Sequence, residues 1–273
     1  MHMMSATLPV SPATEMFLRI LTSALFAGAA AGFITALLQL VFVQPVLLHA
    51  ELYESGAMVH FEGAASSTGQ HASDHQHVGE PTHGGEHSHD GGHGLAHGDG
   101  PGLMRDGLSI LFTMLTYTGY SLILVAAMSV AETRGATITA RTGIIWGVAG
   151  FVTFHLAPGF SLAPEVPGVA AADINARQIW WFATVGTAAV AMWLVAFGQN
   201  WVAWGIAAIL LAAPHVIGAP EPDTFTGPVP TEIAALYAAR ALGIGLAAWV
   251  LLGMFAGYFW QREGVHEAAA AKA

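Results

Sequence analysis

An all-α, polytopic integral membrane helix bundle is the fold this sequence predicts, with six transmembrane helices (five as the alternative) and a disordered His-rich outer loop. Three observations carry that prediction. Of 273 residues, 54% are hydrophobic and only 10% are charged, where a soluble domain carries about a quarter charged residues. The mean hydropathy is +0.56. The apolar residues fall in long runs, 17–42, 108–130, 143–154, 179–197, 201–213 and 233–260, separated by Pro, Gly and acids. Cysteine is absent, which removes disulfides, thiolate metal sites and Cys nucleophiles together. The formal net charge of -10 and the lack of a basic cluster exclude nucleic acid as a partner. No phosphate-binding Gly-x4-Gly-Lys-Ser/Thr pattern occurs either.

Taken in order, 1–16 is polar and proline-containing and is expected to be disordered. The run 17–42 is long enough to cross a hydrocarbon core of roughly 30 Å, and it exceeds a signal-peptide core of about 7–15 residues. It is read as a retained first span over 17–48, ending in QPVLLHAELYE with His49, Glu51 and Glu54. Residues 55–102 form a mobile extracytoplasmic loop rich in His, Gly, Asp and Glu. Within it, His71, His75, His77, His83, His87, His89, His93 and His97 supply eight imidazoles in 27 residues. Imidazole suits zinc, nickel, cobalt and copper, so this tract predicts transition-metal affinity without selecting the metal.

The remaining spans make a bundle over 106–260, followed by a cytoplasmic tail at 261–273. The runs 143–154 and 201–213 are short and suffice only when extended to the histidine that follows each. Between 155 and 168 the chain reads HLAPGFSLAPEVPG. Pro158, Pro164 and Pro167 there predict a stiff connection between helices that carries His155 and Glu165. Arg134, Arg141, Arg262 and Lys272 flank one set of ends, while acids dominate the other. The positive-inside rule then puts both termini in the cytoplasm and the His-rich loop outside.

Under that topology the first, third and fifth spans all end outward in a histidine followed by proline, glycine and acids. They supply His49 with Glu51 and Glu54, His155 with Glu165, and His215 with Glu221 and Asp223. Nitrogen and oxygen donors at one membrane depth form a candidate site for a divalent first-row cation, fed by the His tract. The alternative is that such histidines and prolines simply terminate helices. Arg240, inside the last span, requires an acid or carbonyl partner, with Glu232, Glu165 and Gln39 as candidates. Thr113, Tyr117 and Tyr120 form one polar face, lining a path or bonding between helices. Gly28/Gly32, Gly143/Gly147 and Gly253/Gly257 are small-residue pairs one turn apart that predict close helix approach.

The stretches MFLRILTSALFAGAAAGF and QPVLLHAELYE, the His155 segment leading to RQIWWF, and PHVIGAP together resemble the CbtA family of membrane proteins, across most of 16–262. The resemblance implies a cobalt transporter subunit linked to cobalamin biosynthesis. It also implies a small one-span CbtB-like partner with a His-rich tail, and five spans rather than six. It supplies no catalytic residues, and none is assigned from the sequence, so the chain is read as a non-enzyme without an organic cofactor. The resulting expectation is a cobalt importer subunit of the bacterial inner membrane, with the metal as substrate and homo-oligomerisation open. A nickel or zinc transporter, or a metal-binding accessory or sensor that moves nothing, stays as the alternative.

Overall fold

The computed structural model describes residues 11–59 and 102–270. The eight histidines between 71 and 97 lie outside the described residues, as do 1–10 and most of the expected outer loop. All elements among the described residues are helices: α1 (Pro12–Phe42), α2 (Gln44–Glu54), α3 (Gly102–Glu132), α4 (Ala140–Phe151), a π-helical turn (Val152–Leu156), α5 (Ala157–Ser161), α6 (Ile174–Phe197), α7 (Trp201–Ile217) and α8 (Thr231–Ala270). Five stretches are long and apolar enough to cross a membrane, namely Ala13–Phe42, Gly102–Glu132, Ala140–Ser161, Ile174–Phe197 and Thr231–Val265. The sixth, α7, has 17 residues and packs back along α6. The protein is a multi-pass helical membrane bundle.

Helix starts follow from local chemistry. The side chains of Ser11, Thr139, Asp173 and Asn200 each accept a bond from a backbone amide in the first turn of α1, α4, α6 and α7. Those amides have no partner within the helix, so each cap satisfies a donor that would otherwise be orphaned.

Two sequence expectations are revised here. The expected first span over 17–48 is two helices, because the chain breaks at Val43, just before Pro45. Proline at 45 cannot donate to residue 41, and the amides of Val46 and Leu47 both turn to the Val43 carbonyl. Pro158, expected to end its helix, lies inside the continuous stretch Ala140–Ser161. The π-helical turn makes this possible, since the Ala157 amide bonds the Val152 carbonyl five residues back and the widened turn admits the ring. His155 is therefore in a helical wall, and only Pro164 and Pro167 fall in the connection that follows.

Packing is antiparallel and close. Helix α1 lies against α3 and α8, and α4 against α8. A Cβ at Gly32 would sit 2.7 Å from the Met114 Cα, and one at Gly253 would sit 2.7 Å from the Gly147 Cα. Any larger side chain at these positions forces the helices apart. The centre is filled by Trp249, Trp260, Met128, Leu252 and Val125, all essentially inaccessible.

The two ends of the bundle differ in chemistry. At one end, Arg19 of α1 donates to the Trp260 carbonyl (3.0 and 3.3 Å) and lies over the Trp260 ring. The Trp260 indole donates to Glu132 at 3.2 Å, and Arg19 sits 3.7 Å from the same carboxylate. A charge within a membrane helix is costly unless paired, and this knot of three helices supplies the pairing. At the other end, Ala50 of α2, Val166 and Val229 form a small apolar cluster. The Ala170 amide donates to the Thr226 carbonyl at 2.8 Å. The α2 helix and the connections 162–173 and 218–230 thus gather at one end.

Candidate functional site

That gathering brings the described sequence-predicted residues other than His155 to one end of the bundle, but not into one coordination shell. Among the described residues, no group of three or more His, Asp or Glu side chains is placed to hold a metal ion. Each predicted residue has its own surroundings.

His155 is engaged by tryptophan. The Trp249 indole nitrogen lies 3.0 Å from His155 Nδ1, and an indole N–H can only donate. Nδ1 is therefore the acceptor and the ring proton resides on Nε2. To ligate through Nε2, the ring would have to carry its proton on Nδ1, facing another N–H. In this arrangement neither nitrogen can bind a metal without losing the Trp249 bond. Gly245 leaves the space, since a Cβ there would come within 2.9 Å of the imidazole. Phe151 and Tyr120 complete an aromatic wall around it.

His215 is placed differently. Its Nδ1 is 2.8 Å from the Ser161 hydroxyl, and its ring packs on Phe160 and Trp180. The neighbouring Trp180 indole donates to the Pro214 carbonyl at 3.2 Å, fixing the turn that carries the histidine. If the Nδ1 proton is given to Ser161, the Nε2 lone pair is open, which is how metal-binding histidines are usually oriented. Glu221 and Asp223 follow on the same connection and are exposed.

Glu165 is paired with Arg177 at 2.8 Å, and Asp173 is used as the α6 cap. The carboxylate of Glu165 is thus already neutralised by a guanidinium. Helix α2 offers the opposite situation. Pro45, His49, Glu51 and Glu54 line an open groove of about 740 Å³. Among the described residues, His49 makes a loose ring contact with Tyr53, at 5.7 Å between centroids. Neither the Glu51 nor the Glu54 carboxylate has a hydrogen-bond or ion-pair partner among the described residues.

Four polar side chains inside the bundle find their places. Arg240 donates to the Phe42 carbonyl at 2.8 Å, so a carbonyl is its partner rather than Glu232, Glu165 or Gln39. The break at Val43 frees that carbonyl at the negative end of α1, where a cation is favoured. Thr113 donates to Gln39 Oε1 at 3.2 Å. Tyr117 and Tyr120 turn into the aromatic core instead of continuing Thr113's face. Gln39 and Thr113 line a second cleft of about 300 Å³ that also touches Glu51, Gln44 and Ser109. Gln44 donates to Asp106 at 3.0 Å. Sequence reasoning did not single out Gln44, Asp106 or Ser109, because each is a lone polar residue at a span end. The pairing of Gln44 with Asp106 spans 62 positions and leaves no local pattern.

A family model described as "Probable cobalt transporter subunit (CbtA)" matches residues 17–261. Neither a curated protein nor a solved structure matches the chain.

Proposed function

The chain belongs to the CbtA family of probable cobalt transporter subunits, and from that premise we propose that it imports cobalt across the bacterial inner membrane, receiving the ion on α2. The observation that carries this reading is that His49, Glu51 and Glu54 line one open groove, their side chains without a hydrogen bond or ion pair among the described residues, though not gathered into one coordination shell. Imidazole and carboxylate are borderline-to-hard donors that suit cobalt, nickel or zinc, met here one or two at a time along the groove. His215, oriented by Ser161, with Glu221 and Asp223 on the following connection, is a second receiving point at the same end. His155 and Glu165, with Trp249 and Arg177 as partners, hold helices rather than ions.

The α2 end faces outward in this reading. Arg134, Arg141 and Arg262 sit at the opposite end, as positive residues do on the cytoplasmic side. The eight histidines of 71–97 are then outside as well and concentrate scarce metal near α2. A small single-span CbtB-like protein is the proposed partner.

The test is radiolabelled cobalt uptake in cells lacking their own cobalt importers, with this chain alone and with the partner. The combined variant His49→Ala, Glu51→Gln, Glu54→Gln is expected to raise the half-saturating cobalt concentration at least tenfold. Unchanged uptake would remove α2 from the path. Cobalt binding by the purified protein without uptake in either setting would instead support the accessory reading.

A further inference from the structure

A third groove, of about 410 Å³, lies on the side of the bundle between α3 and α6, with α4 as its floor. Its origin is in the packing. Helix α6 packs mainly on α7, on the π-helical turn and on α5, whereas α4 packs on α8 and α3 on α1. The pair α6 and α7 is thus joined to the bundle toward the α2 end. Toward the end that carries Arg134 and Arg141 it stands off from α3 and α4. There Phe197 meets Trp146 across the gap, at 6.5 Å between ring centroids.

Body and mouth of this groove differ in chemistry. The body is aliphatic and aromatic, with Ile123, Trp146, Phe154, Ala189 and Met192 among its walls. Hydroxyls within it are already used, since Thr142 donates to the Thr137 carbonyl and Thr153 to the Ala149 carbonyl, both at 2.8 Å. An apolar ligand therefore strands no polar group by entering. The mouth is cationic. The Arg134 guanidinium lies 5.1 Å over the ring of Trp193, a groove residue. Arg141 stands one turn before Ile145 on the same face of α4, and Ile145 lines the groove and is 71% exposed. Both arginines are exposed, and neither has a carboxylate partner among the described residues. Glu132, two positions before Arg134, is engaged by Arg19 and Trp260.

Depth selects the occupant. Groove residues on the α4 wall run from Thr142 to Phe154, about 18 Å at a rise of about 1.5 Å per residue. One leaflet is about 15 Å, half of a hydrocarbon core of roughly 30 Å. A partner's spanning helix needs the full thickness, whereas an acyl chain needs one leaflet. We infer that the groove is a binding site for an anionic phospholipid, its acyl chain lying over α4 and its phosphate meeting Arg134 and Arg141. A guanidinium offers paired N–H donors that match phosphate oxygens, and basic residues between membrane helices at the headgroup level are suited to anionic lipids. In the topology proposed above this is the inner leaflet. The lipid fills the space between α6 and the α3–α4 wall, and so ties together helices that pack mainly elsewhere. The site is separate from the α2 groove and stands or falls independently of cobalt transport.

The test mixes the full chain, in mild detergent, with dioleoyl phosphatidylglycerol or dioleoyl phosphatidylcholine, which share their acyl chains, and counts bound lipid by native mass spectrometry. Each arginine near an anionic headgroup contributes about fivefold in affinity, so phosphatidylglycerol should be retained at least tenfold more strongly. Arg134→Gln with Arg141→Gln should reduce that preference to twofold or less. Ala189→Phe, which puts a ring into the groove from an exposed wall position, should weaken phosphatidylglycerol binding at least fivefold with both arginines in place. The two variants act on different parts of the groove, so misassembly of one, seen by circular dichroism, leaves the other decisive. Millimolar glycerol phosphate should not displace the lipid, and displacement would show a plain phosphate site and overturn the assignment. Equal retention of the two lipids, a preference that survives loss of both arginines, or unchanged binding to the Ala189→Phe protein would overturn it as well. Lipid binding blocked by a co-purified single-span protein would give the groove to a partner helix instead.

Discussion

The bond between Trp249 and His155 distinguishes a helix-holding histidine from a metal ligand. His155→Phe keeps an aromatic ring in the space left by Gly245 but removes the acceptor that the Trp249 indole has at 3.0 Å. Trp249 is 1% exposed, so water cannot replace it. In an aqueous core an orphaned donor costs about 1–3 kcal/mol. Between membrane helices the measured range is lower, averaging about 0.6 and reaching about 1.7 kcal/mol, because the unfolded chain also finds partners in the bilayer. The lower range applies here. Trp249→Phe removes the donor and also loses ring contact with α4 at Gly150, so its single effect is larger. That packing loss recurs in the double variant and cancels in the cycle. The expected coupling is therefore about 0.6–1.7 kcal/mol, read from detergent-titrated unfolding of the four proteins by circular dichroism. Cobalt stoichiometry, measured by calorimetry on the same samples, should not change. Additive losses, or the loss of one bound cobalt by His155→Phe with stability intact, would refute the argument.

Gly147→Val directs a branched side chain onto the Trp249 carbonyl, which is backbone and cannot yield. It should cost about 1–3 kcal/mol or more and deplete folded protein in the membrane fraction. Gly186→Ala, with nothing within 4 Å, should be neutral or stabilising by up to about 1 kcal/mol, measured in the same assay. Arg240→Met leaves the Phe42 carbonyl unmet. Discounted for partial exposure, the cost should be about 1 kcal/mol, and thermal unfolding should show it. Ser161→Ala frees the His215 ring and should raise the half-saturating cobalt concentration by about tenfold or more with maximal uptake unchanged. An unaltered concentration dependence would remove His215 from the receiving set.

Helix content and membrane placement were readable because both are periodic or compositional properties. A run such as 17–42 states its own solubility, and a pair such as Gly28/Gly32 sits on one helix face at a fixed spacing. The sequence alone also marked His49, His155 and His215 as three similar helix ends. It did not reveal that they have three different fates, because a histidine's role depends on what stands opposite each ring nitrogen. Trp249 lies 94 positions from His155, and Ser161 lies 54 from His215. Pro158 likewise read as a stop, and only the neighbouring π-helical turn, supported by packing on α8, allows the helix to pass it.

What the sequence by itself determined is the class of the protein: an apolar helical chain with metal-seeking side chains, since hydrophobicity and ligand chemistry belong to residues one at a time. What only the tertiary structure decided is which of those side chains remain available. Availability is a property of pairs, as when Glu165 meets Arg177 while the Glu51 carboxylate has no hydrogen bond or ion pair among the described residues. Pairs are created when α2 and the two connections are brought to one end by helices packed through their glycines. The sequence records each partner, and the fold alone sets the distance between them.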